Sequence, residues 1–124
     1  MYKILVVDKE KFNLDLIEAA LMDRKYILLN ANDNFEALQI FKENHDISLV
    51  LGCNNVEGGG ISLFKEIQNI TNNKFFPFIN FGSAYQEFEA LKEGIELFVT
   101  KPYDIEILDL KIHNILSREY KKQA

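Results

Sequence analysis

The residues able to do chemistry lie where apolar runs end. Ile4-Leu5-Val6-Val7 delivers Asp8-Lys9-Glu10-Lys11, two alternating pairs of carboxylate and ammonium. Such a strand end can line a charged pocket or simply open a solvated loop. Leu49-Val50-Leu51 leads into Gly52-Cys53-Asn54, where a thiol after a buried strand reads as a small core residue rather than a nucleophile. Gly58-Gly59-Gly60 has the glycine content of a phosphate cradle, but no Lys-Ser or Lys-Thr follows it, so a flexible strand-to-helix turn is expected. Asp46 and Glu57 are expected to be solvated. His45 and His113 stand too far apart in the pattern for a metal pair or a triad, and both are expected to be partly exposed. With no paired general acid and base and no nucleophile beside a histidine, an enzyme is not expected.

Short apolar runs must position these groups. Lys3–Val7, Tyr26–Ala31, Ile47–Leu51, Phe76–Phe81 and Ile95–Val99 are rich in β-branched or aromatic residues, and helix-length segments separate them. The helices are expected at about Phe12–Met22, Asn34–Glu43, Ile61–Ile70, Ala84–Glu93 and Ile105–Tyr120. Phe35, Leu38 and Phe41 repeat at helical spacing in the second, with Asn32 or Asp33 as cap. Ile105, Leu108, Ile112, Ile115 and Leu116 make a stripe in the last, with Asp104 as its cap. Alternating strands and helices imply right-handed crossovers and a parallel sheet covered on both faces. The expected fold is therefore α/β: a three-layer α/β/α sandwich of flavodoxin-like (βα)5 type, strand order 2-1-3-4-5. Its binding crevice lies at the carboxyl ends of strands 1 and 3, where Asp8, Lys9 and Gly52 meet.

The 124 residues fit one domain, residues 1–124, with a tail from 119 to 124 expected to fray. A single cysteine gives no disulfide framework, and no leader pattern follows Met1, so a cytoplasmic protein is expected. A net charge of −5 argues against nucleic acid or anionic membrane as partner.

Four stretches resemble a known family. Ile4-Leu5-Val6-Val7-Asp8, Ser48-Leu49-Val50-Leu51, Gly60-Ile61-Ser62-Leu63-Phe64-Lys65-Glu66-Ile67 and Thr100-Lys101-Pro102-Tyr103 are together similar to the response regulator receiver domain, the CheY-like superfamily. The resemblance spans essentially the whole chain. It implies an aspartate that takes a phosphoryl group, two adjacent acids that hold Mg²⁺, a Ser or Thr and a Lys that bind phosphoryl oxygens, and a Lys-Pro cis peptide. Counting back from Gly60, the acceptor position falls on Gly52. The metal-binding acids correspond to Asp8 and Lys9, and Asn54 to the residue supplying a backbone carbonyl to the metal. Gly82 takes the Ser/Thr position with Ser83 one place late, and Lys101 matches the lysine. Phe98 sits where an aromatic rotamer reports the switch. The segment from Gly82 to Lys101 is about three residues shorter than in the family.

These departures imply an atypical, pseudo-receiver related to phosphorelay signalling that lacks its phosphoacceptor. Asp8, Lys9 and Lys101 sum to about +1, which does not suit Mg²⁺, so no cofactor is expected. The ammonium of Lys9 or Lys101 would pair with Asp8 in place of the cation. The implied role is contact with a protein partner or effector domain, or a homodimer, through helices 4 and 5, where Tyr85, Phe88, Tyr103, Ile107 and Leu110 exceed what a solvated face needs. Phe75, Phe76, Phe78, Phe81, Phe88 and Phe98 read as packing residues. An alternative is a small-ligand or anion sensor built from Lys9, Lys101, Ser83 and the amides near Gly82.

Overall fold

The inner strands are largely apolar on both faces, so the sheet needs cover on both, and five helices supply it. The computed structural model describes residues 2–22 and 25–123, with side chains in the last helix described through Arg118. The elements alternate as β1 (Lys3–Val7), α1 (Lys11–Leu21), β2 (Ile27–Ala31), α2 (Asn34–Glu43), β3 (Ile47–Cys53), α3 (Gly59–Thr71), β4 (Phe78–Gly82), α4 (Glu87–Lys92), β5 (Leu97–Thr100) and α5 (Ile105–Gln123). The sheet is parallel throughout, in the order β2-β1-β3-β4-β5. This is the flavodoxin-like sandwich expected from the alternation.

Side chains alternate across a strand, so the sheet divides the core in two. Leu5, Val7, Val50 and Phe78 meet Ala37 and Phe41 of α2, Leu63, Phe64 and Ile67 of α3, and Ala90 of α4. Ile4, Val6, Leu49, Leu51, Ile79 and Phe81 meet Ile17 and Leu21 of α1 and Leu108, Ile112, Ile115 and Leu116 of α5. Each of the buried Val, Leu, Ile and Phe side chains among them contributes about 1.5–3 kcal/mol by leaving water. Asp33 caps α2 by accepting the Glu36 N–H at 2.8 Å, and Asp104 caps α5 by accepting those of Glu106 and Ile107. α5 continues as helix to Gln123, so residues 119–123 extend it.

Two expectations are corrected. Phe35 is 72% exposed, because α2 turns Ala37 and Phe41 inward and leaves Phe35 at its outer N-terminal turn. Phe75 is likewise exposed rather than packed, and of the two places expected for Phe88 it takes the exposed one. The fourth helix occupies its expected segment but opens as a 3-10 turn, Ala84–Gln86, before a six-residue α4 that buries Ala90 alone.

Candidate functional site

Two neighbouring strands bring the polar groups together at the carboxyl edge of the sheet. β1 and β3 pair with Val7 opposite Gly52, which carries Asp8 and Cys53 past the last pair side by side. Asp8 continues the Ile4, Val6 face, and Cys53 continues the Leu49, Leu51 face; both are the α1/α5 face. Lys101 follows β5, its N–H donating to the Gly82 carbonyl at 2.9 Å, and Lys101-Pro102 is a cis peptide. From there its Nζ lies 3.1 Å from Asp8 Oδ2 and 2.9 Å from Cys53 Sγ.

Asp8 is 2% exposed, and its carboxylate is well provided with donors. Oδ1 accepts the Glu10 N–H at 2.9 Å, the Asn55 carboxamide, and the Asn13 carboxamide at 3.4 Å. Burial pushes the Asp8 carboxyl up, but Asn55, the Glu10 N–H and Lys101 together hold it below its ordinary value. Burial works against the Lys101 ammonium, and its bonds to Cys53 and Asp8 outweigh that and raise it. Burial raises the Cys53 thiol despite Lys101, so the sulfur stays protonated at neutral pH.

Gly52 is corrected by its direction. A Cβ at Gly52 would point to the opposite face and sit 2.6 Å from Phe78 Cζ, away from Asp8 and Lys101. The side chain that faces them from β3 is Cys53. Lys9 is exposed, with only its backbone N–H engaged, 3.4 Å from Asn55 Oδ1; the ammonium that pairs with Asp8 is that of Lys101. Asp46 pairs with Lys3 at 3.0 Å at the amino end of the sheet, and Glu57 is exposed, so neither enters the pocket. His45 and His113 are exposed.

Asn54 faces the other way from Asn55. Its Oδ1 accepts the Gly60 N–H at 2.8 Å and the Asn80 carboxamide at 2.9 Å, and its Nδ2 donates to Gln86 Oε1 at 3.1 Å. At Gly82 a Cβ would overlap Gln86 Oε1 and Asn54 Nδ2 and lie 3.1 Å from Phe98 Cζ. The space beside Gly82 is thus filled by Gln86, Asn54 and the buried Phe98 ring. Ser83 Oγ is buried without a hydrogen-bond partner. Tyr103 is corrected from a surface residue to a packing one: its ring meets Phe81 edge-on at 5.5 Å, and burial raises its hydroxyl. Tyr85, Phe88, Ile107 and Leu110 are exposed as expected.

No family model matches the chain. It is similar at 26% identity, over 98% of its length, to the probable transcriptional regulator ycf27 of Porphyridium aerugineum, of which it covers 51%. It is similar at 27% identity, over 93% of its length, to the aerobic respiration control protein ArcA of Escherichia coli K12, of which it covers 48%. The chain therefore spans about half the length of the curated relatives it matches. Among solved structures, a response regulator receiver domain protein from Clostridium thermocellum superposes with a TM-score of 0.84 at 29% identity, covering 97% of this chain and 98% of that one. The chain has the fold of CheY-like response regulator receiver domains and is similar to them over nearly its whole length. A two-component response regulator from Clostridium difficile gives a TM-score of 0.83 at 25% identity, covering 96% of this chain and 98% of that one.

The pocket includes residues that sequence reasoning missed. Asn55 follows directly after Asn54, and its reach to Asp8 leaves no mark in composition. Asn80 is more legible: a carboxamide inside Phe78-Ile79-Asn80-Phe81 is a polar residue at 0% exposure that must find partners. Gln86 stands three residues after Ser83, the spacing of a capping box, and its Oε1 accepts the Ser83 N–H at 2.9 Å. Among the described residues, no three His, Cys, Asp or Glu side chains gather as metal ligands do.

Proposed function

We propose that this receiver acts without phosphorylation, as a protein-interaction module related to two-component signalling. The observation that carries the reading is the Cys53 thiol in the place facing Asp8 and Lys101. Phosphoryl transfer needs a nucleophile with a free lone pair, in-line positioning and cations on the transferring group. Cys53 offers a protonated sulfur, and Asp8 is already neutralised by Lys101. The donor set does not fit Mg²⁺ either. One carboxylate, one thiol and one ammonium sum to about zero, whereas Mg²⁺ takes octahedral oxygen ligands including carboxylates. The reading therefore has no resident cofactor and no catalytic role, in a cytoplasmic setting.

The surface supports the interaction half of the reading. Tyr85 is 84% exposed, Phe88 72%, Ile107 53% and Leu110 55%, and Leu91 adds to the same region. Apolar groups so placed suit a partner, whether an effector domain, another protein or a second copy. An anion sensor in the same pocket would need an uncommitted cation, and Lys101 is committed to both Asp8 and Cys53. That favours the interaction module.

Incubation with acetyl phosphate and Mg²⁺, followed by intact mass measurement, tests the reading. No added phosphoryl group is expected. An acyl phosphate mapped to Asp8 or Glu57, or a thiophosphate ester on Cys53, would sink it. Light scattering then separates a dimer from a monomer that waits for another partner.

A further inference from the structure

The segment carrying Tyr85, Phe88 and Leu91 has little core to hold it. α4 is six residues long and buries Ala90 alone, and its C-terminal tie, Lys65 to Glu93 at 2.9 Å, is a surface pair of small worth. What fixes its start is a chain of carboxamides. Gln86 Oε1 accepts the Ser83 N–H at 2.9 Å and the Asn54 Nδ2 at 3.1 Å. Asn54 is held in turn by the Gly60 N–H, by Asn80 and, through its own N–H, by the Phe81 carbonyl at 2.8 Å. Asn80 closes the network on the Gly52 carbonyl at 2.9 Å. Gly82 makes the arrangement possible, because a side chain there would occupy the volume that Gln86 and Asn54 fill.

Asn54 and Asn55 are neighbours that face opposite ways. Asn55 donates to Asp8 in the charged pocket, and Asn54 donates to Gln86 at the start of the 84–92 segment. We infer that Gln86 is a positioning residue that fastens the 84–92 segment to the β3-α3 loop, and that the Asn54-Asn55 dipeptide ties its placement to Asp8. The segment is the movable element, being poorly anchored elsewhere, and the carboxamides select one position for it. This arrangement acts whether or not the pocket accepts phosphate, so its test is independent of phosphodonor chemistry.

Native-state amide exchange over residues 84–92 reads it directly. Gln86→Ala and Asn54→Ala should each lower protection there by about tenfold, the worth of one or two hydrogen bonds. The double variant should lose little more than either single one, because both remove one shared contact. Gln86→Glu keeps an acceptor oxygen for the Ser83 N–H and should retain more protection than Gln86→Ala, which a purely space-filling role would not require. Asp8→Asn and Asn55→Ala should each alter protection of 84–92 in the parent and leave it unchanged in the Gln86→Ala background. Fully additive losses from Gln86→Ala and Asn54→Ala, or 84–92 protection indifferent to both Asp8→Asn and Asn55→Ala, would overturn the inference.

Discussion

Lys101 Nζ stands 3.1 Å from Asp8 Oδ2, joining the two ends of the chain across the carboxyl edge of the sheet. Asp8 has a side chain 3% exposed and Lys101 one 25% exposed, so the pair is screened far less than a surface ion pair. The same ammonium touches Cys53, and three strands thus converge on one positive charge.

Stability should follow the titration of this pair. The folded carboxyl of Asp8 is lowered, so its contribution is complete above the unfolded value of about 3.9 and is lost as pH falls through the folded value beneath it. Lys101 is raised, so its contribution is complete below an unfolded value of about 10.4 and is lost as pH climbs through the folded value above it. Urea unfolding across pH should show a plateau between those limits with both shoulders. Lys101→Met should cost about 3 kcal/mol at neutral pH by leaving Asp8 buried and unpaired. In that variant the Asp8 resonance should titrate at higher pH; an unmoved Asp8 would mean the pair is not formed.

Position 52 and position 53 should respond in opposite ways to an added carboxylate. Cys53→Asp with Lys9→Asp places three carboxylates around one ammonium, and Mg²⁺ titration should then shift amides near Asp8. Gly52→Asp meets the Phe78 ring, 2.6 Å from where its Cβ would be, and should destabilise the fold by at least about 1–3 kcal/mol without gaining Mg²⁺. If Gly52→Asp binds Mg²⁺ and the Cys53 variant does not, the orientation of β3 described above is wrong.

Exposed and buried phenylalanines should separate cleanly. Phe88→Ala and Tyr85→Ala, at 72% and 84% exposure, should change unfolding free energy by no more than about 0.5 kcal/mol. Phe81→Ala, 2% exposed and in contact with Tyr103, should cost about 3–5 kcal/mol. Where association is measured, the two surface variants should be the ones that weaken it.

The helix caps make a smaller, local prediction. Asp33→Ala and Asp104→Ala each remove a carboxylate that accepts first-turn N–H groups, and each should lower stability by about 1 kcal/mol in thermal melts. Asp46→Ala removes an exposed partner of Lys3 and should leave the melting temperature nearly unchanged.

Much of this was legible from residue order. The alternation of apolar runs carried the strand order, Asp104 announced its cap, the α2 cap was narrowed to Asn32 or Asp33, and Lys101 was recognisable from its proline. The orientation of β3 was not. Leu49-Val50-Leu51 is apolar on both faces, so no alternation marks which side Gly52 or Cys53 takes, and counting back from Gly60 to an acceptor position at Gly52 does not say which side chain of β3 faces Asp8. Pairing settles it, since Val7 opposite Gly52 puts Cys53 beside Asp8. The helix after β4 was legible in its bounds, but its opening 3-10 turn was not, because the fold-back of Gln86 on Ser83 depends on a side-chain choice that the helical pattern of Ala84–Glu93 does not record.

Gly82 bears on how such a chain can change over generations. Its missing side chain leaves one volume to the carboxamides of Gln86 and Asn54, so a threonine or serine at 82 would oblige both to turn aside. Both are the free ends of flexible side chains, so the exclusion is soft. The residue at 82 and the rotamer at 86 are therefore coupled, and an exchange at one is answered at the other.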